Sequence, residues 1–91
     1  MNSPHEHVVE VRVVTTAGVF PASGFEQVPA TQMVHAILER AKHALHITDT
    51  QNWIAVAGGA RIDPGISYAA NHLAGRVEID WGPDHGAGGN A

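Results

Sequence analysis

The chain has 91 residues, no cysteine, a formal net charge of −4 at pH 7 and five lysine and arginine residues. This length allows one small domain with one core, and the lack of thiols excludes disulfides, cysteine-ligated zinc or iron–sulfur sites and cysteine nucleophiles. With so few basic side chains and no apolar run near the roughly 20 residues that span a bilayer, we expect no nucleic-acid or membrane partner and a cytoplasmic location.

The first half of the chain predicts a β-hairpin. We expect residues 1–6 to be a flexible N-terminus and the folded domain to span residues 7–81. In residues 7–14, Val9, Val11 and Val13 share one face and more polar residues interrupt the other, which is typical of a half-buried strand. Residues 19–28 are the predicted second arm of the hairpin, an irregular one because Pro21 has no N–H for the ladder.

One substantial helix is predicted after the hairpin. Apolar residues recur at three- and four-residue spacing from Gln32 to about Leu45, and Thr31 is the expected N-cap. One face of this helix should pack on the sheet.

The second half of the chain predicts three more strands. In residues 52–57, Ile54 and Val56 share one face, while Trp53 and Ala55 share the other. A short strand follows at residues 60–62, then a helical turn that Ser67 can cap. The last strand, at 76–81, buries Val77, Ile79 and Trp81, or else leaves Trp81 as a lid at the end of the sheet. The sequence therefore predicts an α+β fold, a mixed sheet of four to five strands packed on one main helix.

Residues 82–91 have almost no side chains that could join a core. Glycine loses more conformational freedom on ordering than any other residue, so we expect a flexible C-terminal tail. Gly86, Ala87, Gly88 and Gly89 carry one methyl group among them, which makes a thread narrow enough for an enzyme tunnel. From Trp81 to Gly89 the extended chain reaches up to about 26 Å.

The order of these elements, followed by a Gly-Gly tail, resembles the β-grasp fold of ubiquitin and its relatives. The runs that carry the local likeness are Val56-Ala57-Gly58, Ile62-Asp63-Pro64-Gly65 and Ser67-Tyr68. Two further runs, Asp49-Thr50-x-x-Trp53 and Glu78-Ile79-Asp80-Trp81-Gly82-Pro83, resemble the bacterial ubiquitin-like proteins of operons that also encode activating-enzyme-like, conjugating-enzyme-like and JAB peptidase proteins.

This resemblance implies a protein modifier that is a substrate of enzymes and is not itself an enzyme. A JAB-type peptidase would cut between Gly89 and Asn90 and remove Asn90-Ala91. The activating enzyme would then use ATP to adenylate the carboxylate of Gly89, with Gly88 beside it and Gly86 and Ala87 threading the tunnel. The modifier needs no cofactor of its own. Asp84 and His85 stand where most such tails have a basic residue, so the partner enzymes would either need electrostatics different from those that serve ubiquitin or make no contact with this stretch.

Two other functions fit the same sequence. A sulfur carrier would share the fold and the adenylation but would form a thiocarboxylate at its C-terminus. A non-conjugating β-grasp module would act only in interaction or assembly. The targets, and the choice between amide and ester linkage, stay open.

A second expectation is a partner-facing surface on the sheet, made by Trp53, Ala55, Val8 and Val14, which would suit enzyme docking or self-association. We expect no metal site, because the pairs His5/His7 and His43/His46 lack further ligands at suitable spacing. Asp49, Asp63 and Asp80 are interpreted as backbone-capping residues and not as acid–base groups.

Overall fold

The computed structural model describes residues 8–84. These residues form one helix and a six-stranded sheet, in the order β1 (Val8–Thr15), β2 (Gly18–Phe20), β3 (Glu26–Pro29), α1 (Val34–Ala44), β4 (Trp53–Ala57), β5 (Ala60–Ile62) and β6 (Arg76–Pro83). The spatial order of the strands is β2-β1-β6-β4-β5, and β3 also pairs with β1. Since β1 and β6 are parallel and the other pairs antiparallel, the predicted α+β architecture with a mixed sheet and one main helix is confirmed.

The irregular second arm of the hairpin is divided into β2 and β3. Phe20 pairs with Val13, and Val28 pairs with Val9 farther along the same strand. The residues between the two short strands leave the ladder where Pro21 has no N–H to donate. The described part of the chain therefore has six strands instead of the four to five expected.

The core lies between the sheet and α1. Val9, Val11 and Val13 point into it from β1, and Val77, Ile79 and Trp81 from β6, as the alternation predicts. The helix contributes Val34, Ile37, Leu38 and Ala41. At eleven residues, this helix does not meet the length and hydropathy needed to cross a membrane.

Helix α1 begins at Val34, two residues later than predicted, and Thr31 is not its N-cap. Met33 takes the capping position without a side-chain hydrogen bond. The first backbone N–H groups instead reach carbonyls of a neighbouring loop, since Val34 N donates to Ile66 O at 3.1 Å and His35 N donates to Pro64 O at 2.9 Å. These tertiary hydrogen bonds therefore satisfy the first N–H groups of the helix, which a capping side chain satisfies in many other helices.

The prediction that Trp53 and Ala55 face a partner is wrong, because both side chains of β4 lie on the core face of the sheet. Ala55 is 1% exposed and belongs to the core face, and Trp53 on the same face packs partly buried against the core. The register explains this, because Ala55 lies opposite Trp81 and its small side chain leaves room for the indole ring. Ile54 and Val56 therefore occupy the outer face of the sheet, on the side away from α1.

Candidate functional site at the C-terminal end of the last strand

Strand β6 runs to Pro83, two residues beyond the predicted end of the domain at Trp81. Its pairing with β1 stops at Asp80, but β4 continues alongside it, with Gly82 opposite Ile54 and Pro83 opposite Trp53. A strand with one remaining neighbour tolerates proline, which cannot donate to a second ladder. The N–H of Asp84 then donates to the carbonyl of Asn52 at 3.0 Å.

Two side-chain contacts hold this end of β6 in place. The rings of Trp81 and Trp53 meet edge to face, with centroids 4.9 Å apart and planes at 82°. Arg61 Nη1 of β5 lies 3.8 Å from Asp84 Oδ2. The chain therefore leaves the sheet from a fixed point at Asp84, and Gly89 is the fifth residue after that point. Covalent geometry limits this separation to about 17 Å.

Directly beside this exit, the outer face of the sheet forms an open groove of about 550 Å³. We call it the outer-face groove, and its lining residues are Val14, Thr15, Thr16, Ile54, Val56, Asp80, Trp81, Gly82, Pro83 and Asp84. Its centre is fixed by cross-strand register, because Asp80 is paired with Val14 on one side and with Val56 on the other. The next row places Gly82 opposite Ile54.

The charges around the outer-face groove are mostly paired. Arg61 pairs with Asp84 at its lower rim, and Arg12 Nη2 lies 2.6 Å from Glu78 Oε2 in the row above Asp80. Asp80 is exposed, and within residues 8–84 its carboxylate has no hydrogen bond or ion pair. The groove thus has aliphatic walls and one carboxylate, that of Asp80, which has no counter-ion within residues 8–84.

The other aspartates with predicted capping roles behave as expected. Asp49 Oδ1 accepts a hydrogen bond from Gln51 N at 3.1 Å, and Asp63 Oδ1 accepts one from Gly65 N at 2.9 Å. Asp80 differs, because it stands inside β6 and caps nothing.

Above the groove, the same face carries a charged cluster around Phe25. The guanidinium groups of Arg12 and Arg76 each lie 4.8 Å from the centre of the Phe25 ring. Arg76 also pairs with Glu10, which lies opposite it in the parallel ladder. These contacts tie β1, β6 and the start of β3 together and leave no free cation in the cluster.

The predicted site residues that the structure describes do not all lie in the groove, and the others lie outside residues 8–84. Gly86, Ala87, Gly88, Gly89 and Asn90 lie outside the described residues, so their predicted roles stay predictions. Val14 lines the groove, whereas Val8 lies at the opposite end of β1, about 20 Å away by strand geometry.

Sequence reasoning missed Ile54, Val56, Asp80 and Gly82 as groove residues. One signal for them was present in the sequence. The outward positions of β6 read Arg76, Glu78, Asp80 and then Gly82, and a glycine that replaces a side chain at such a position marks an opening in the surface.

Within residues 8–84, no group of three or more His, Asp or Glu side chains could hold a metal ion, and His43 and His46 stand without further ligands. His5 and His7 fall outside the described residues. Tyr68 is fully buried, and this burial raises the pKa of its hydroxyl to about 12 against a smaller lowering by Arg40. Such a hydroxyl is neutral at physiological pH.

Comparison with solved structures identifies the fold. A de novo designed protein based on ubiquitin superposes with a TM-score of 0.66 at 13% identity, covering 92% of this chain and 98% of its own. An N-terminal ubiquitin-like domain solved in solution gives a TM-score of 0.60 at 10% identity and covers 100% and 90%. A chain from a structure described as molecular mimicry of SUMO in DNA repair gives 0.59 at 12% identity and covers 80% and 90%.

The chain therefore has the ubiquitin-like β-grasp fold. No protein-family model and no curated protein sequence matches it.

Proposed function

We propose that this protein is a ubiquitin-like modifier of the kind found in bacterial operons with activating-enzyme-like, conjugating-enzyme-like and JAB peptidase proteins. Cleavage after Gly89 removes the residues that follow it, and the new carboxylate is joined to a target. The observation that carries the proposal is the β-grasp domain whose last strand is held in place as far as Asp84 and is followed in the sequence, after His85, by Gly86-Ala87-Gly88-Gly89.

The chemistry needs nothing from this chain except its carboxylate. One oxygen of the Gly89 carboxylate attacks the α-phosphate of ATP on the activating enzyme, which releases pyrophosphate and leaves an acyl adenylate. A thiolate of the partner then attacks the carbonyl carbon and AMP leaves; since this chain has no cysteine, that sulfur belongs to the enzymes. An amine or hydroxyl of the target finally displaces the thiolate, so the chain is a substrate and not an enzyme.

The surroundings of the exit define how the activating enzyme must fit. Gly89 lies no more than about 17 Å from Asp84, so the enzyme has to seat the domain close to its tunnel. The entrance of that tunnel meets Asp84 and Arg61, which pair at 3.8 Å, in place of an unopposed basic residue. An enzyme that serves a basic tail would meet the carboxylate of Asp84 with the wrong charge.

Mass spectrometry of tryptic digests tests the proposal directly. Arg76 is the last basic residue that trypsin can use, so a target lysine joined to Gly89 would carry residues 77–89 as a branched remnant. The chain is expressed with an N-terminal tag together with the activating-enzyme-like, conjugating-enzyme-like and JAB-type proteins of its source organism. We expect the 77–89 remnant on target proteins after denaturing purification.

Truncations supply the matched controls. A chain that ends at Gly89 should conjugate without the peptidase, whereas a chain that ends at Gly88 and a Gly88→Val variant should not. Replacement of one carboxylate oxygen of Gly89 by sulfur, with no remnant on any protein, would favour the sulfur carrier. An unchanged mass with all partners and ATP present would leave only the interaction or assembly module.

A further inference from the structure

We propose that the outer-face groove docks a partner protein through one basic side chain, lysine or arginine, set among aliphatic side chains, with Asp80 as the pairing carboxylate. The proposal concerns non-covalent binding at the domain surface. It does not depend on the chemistry of Gly89 and can fail or succeed without it.

Asp80 sets the charge of the partner. Its two cross-strand neighbours, Val14 and Val56, make the walls of the groove aliphatic, so a partner that covers the groove removes water from the carboxylate. Burying a carboxylate without a counter-ion costs free energy, and a purely apolar partner would provide no counter-ion for Asp80. The nearby cations, Arg61 and Arg12, already pair with Asp84 and Glu78. The neutralising charge therefore has to come from the partner.

Gly82 gives a second, independent reason to expect a docking partner in the groove. A Cβ atom added at this position would meet nothing within 4 Å, and the φ of Gly82 lies outside the positive range that favours glycine. Glycine inside a strand costs about 0.5–1 kcal/mol relative to alanine, and neither packing nor backbone geometry of the domain requires it here. A missing side chain on an outward strand position does, however, allow another molecule to approach the backbone closely.

The same carboxylate disfavours a second copy of the chain as the occupant. In a two-fold symmetric dimer the same patch faces itself, so the two Asp80 side chains would approach each other in an apolar contact. Like charges brought together in this way destabilise an interface. A partner with a complementary basic side chain avoids that repulsion.

Peptide titrations followed by amide NMR test the proposal. The probe is an amphipathic helical peptide with arginine flanked by leucines one turn away on either side, compared with peptides that have glutamine or glutamate in its place. The arginine peptide should shift the amide signals of Val14, Val56, Asp80 and Gly82 and should bind more tightly than the other two. Asp80→Asn should weaken it more than about tenfold, because the arginine of the peptide then has no counter-ion in a groove from which water is removed.

Three variants separate the groove from general effects. Asp80→Lys should reverse the preference and favour the glutamate peptide. Gly82→Val should weaken the arginine peptide about tenfold by filling the groove, without lowering the melting temperature. Glu39→Gln is the matched control, since it removes one negative charge from the helix on the other side of the sheet and should leave affinity unchanged.

Several results would overturn the proposal. One is equal affinity for the three peptides, and another is no shift at the groove with millimolar arginine peptide. A third is sedimentation that shows a dimer which Asp80→Asn tightens and Gly82→Val breaks, because the occupant would then be a second copy.

Discussion

Replacing Tyr68 with phenylalanine should stabilise the protein. The tyrosine side chain is fully buried in the core, and its hydroxyl has no hydrogen-bond partner among the described residues. Its backbone contacts, a donation to Gln32 O at 3.3 Å and an acceptance from Leu73 N at 2.9 Å, do not involve the hydroxyl. The substitution therefore removes one polar atom and leaves ring and backbone packing unchanged.

The expected gain follows from the cost of that buried hydroxyl. Leaving a buried polar group without a partner costs about 1–3 kcal/mol, and the hydroxyl is hydrated in the unfolded chain. We expect Tyr68→Phe to raise the free energy of unfolding by about 1 kcal/mol, which corresponds to roughly 4–8 °C in the melting temperature of a domain this small.

The pH dependence gives the same reasoning a second readout. Burial raises the pKa of Tyr68 in the folded protein to about 12, above its ordinary value of 10.0. The unfolded chain therefore loses this proton first, so stability falls as the pH rises from about 10 to about 12. This loss of folding stability between about pH 10 and about pH 12 should be absent from the phenylalanine variant.

Urea unfolding and absorbance measure both effects. The chain has one tyrosine, so the ultraviolet absorbance of tyrosinate reports Tyr68 alone. In the folded protein it should titrate near pH 12, and in denaturant near pH 10. A phenylalanine variant that is less stable than the parent, or a folded-state titration near pH 10, would refute the picture of a buried and unpartnered hydroxyl.

Three further substitutions test contacts elsewhere in the domain. Phe25→Leu should lower the free energy of unfolding by about 1 kcal/mol in urea titrations, since leucine keeps apolar area but loses both guanidinium–ring contacts. Trp53→Ala should cost about 3 kcal/mol and speed hydrogen exchange at the Asp84 amide, because the edge-to-face contact at the end of β6 is lost. Gly18→Ala should lower the melting temperature, because φ is +142° there and the new Cβ would lie 3.0 Å from Leu45 Cδ2.

The sequence was informative wherever the two faces of a strand differ in polarity. In β6, Val77 and Ile79 alternate with Glu78 and Asp80, and this contrast identifies the buried face correctly. The alternating valines of β1 gave the same result. The one main helix was predicted too, since its apolar residues recur at helical spacing.

The predictions were wrong where tertiary contacts decide which face of a strand is buried or where a helix begins. Both faces of β4 are apolar, so alternation alone cannot tell whether Ala55 or Val56 is buried. The register against β6 decides it, because Trp81 needs a small neighbour. The start of α1 was misplaced for a similar reason, as its first N–H groups bond to carbonyls from residues 64–66, which are distant in sequence.

The position of the groove in the chain separates binding from conjugation in a testable way. Asp80 and Gly82 lie on the strand that ends beside Asp84, so a partner seated in the outer-face groove would stand at the start of the segment that leads to Gly89. If the activating enzyme is the partner that uses the groove, Gly82→Val should raise its KM for the protein chain and leave kcat nearly unchanged, because a filled groove weakens docking without altering the Gly89 carboxylate. If a different partner uses it, pyrophosphate exchange with ATP should be unaffected by Gly82→Val, while the arginine peptide still binds about tenfold more weakly. A fall in kcat alone would contradict both, since Gly82→Val changes the docking surface and leaves the Gly89 carboxylate chemically unchanged.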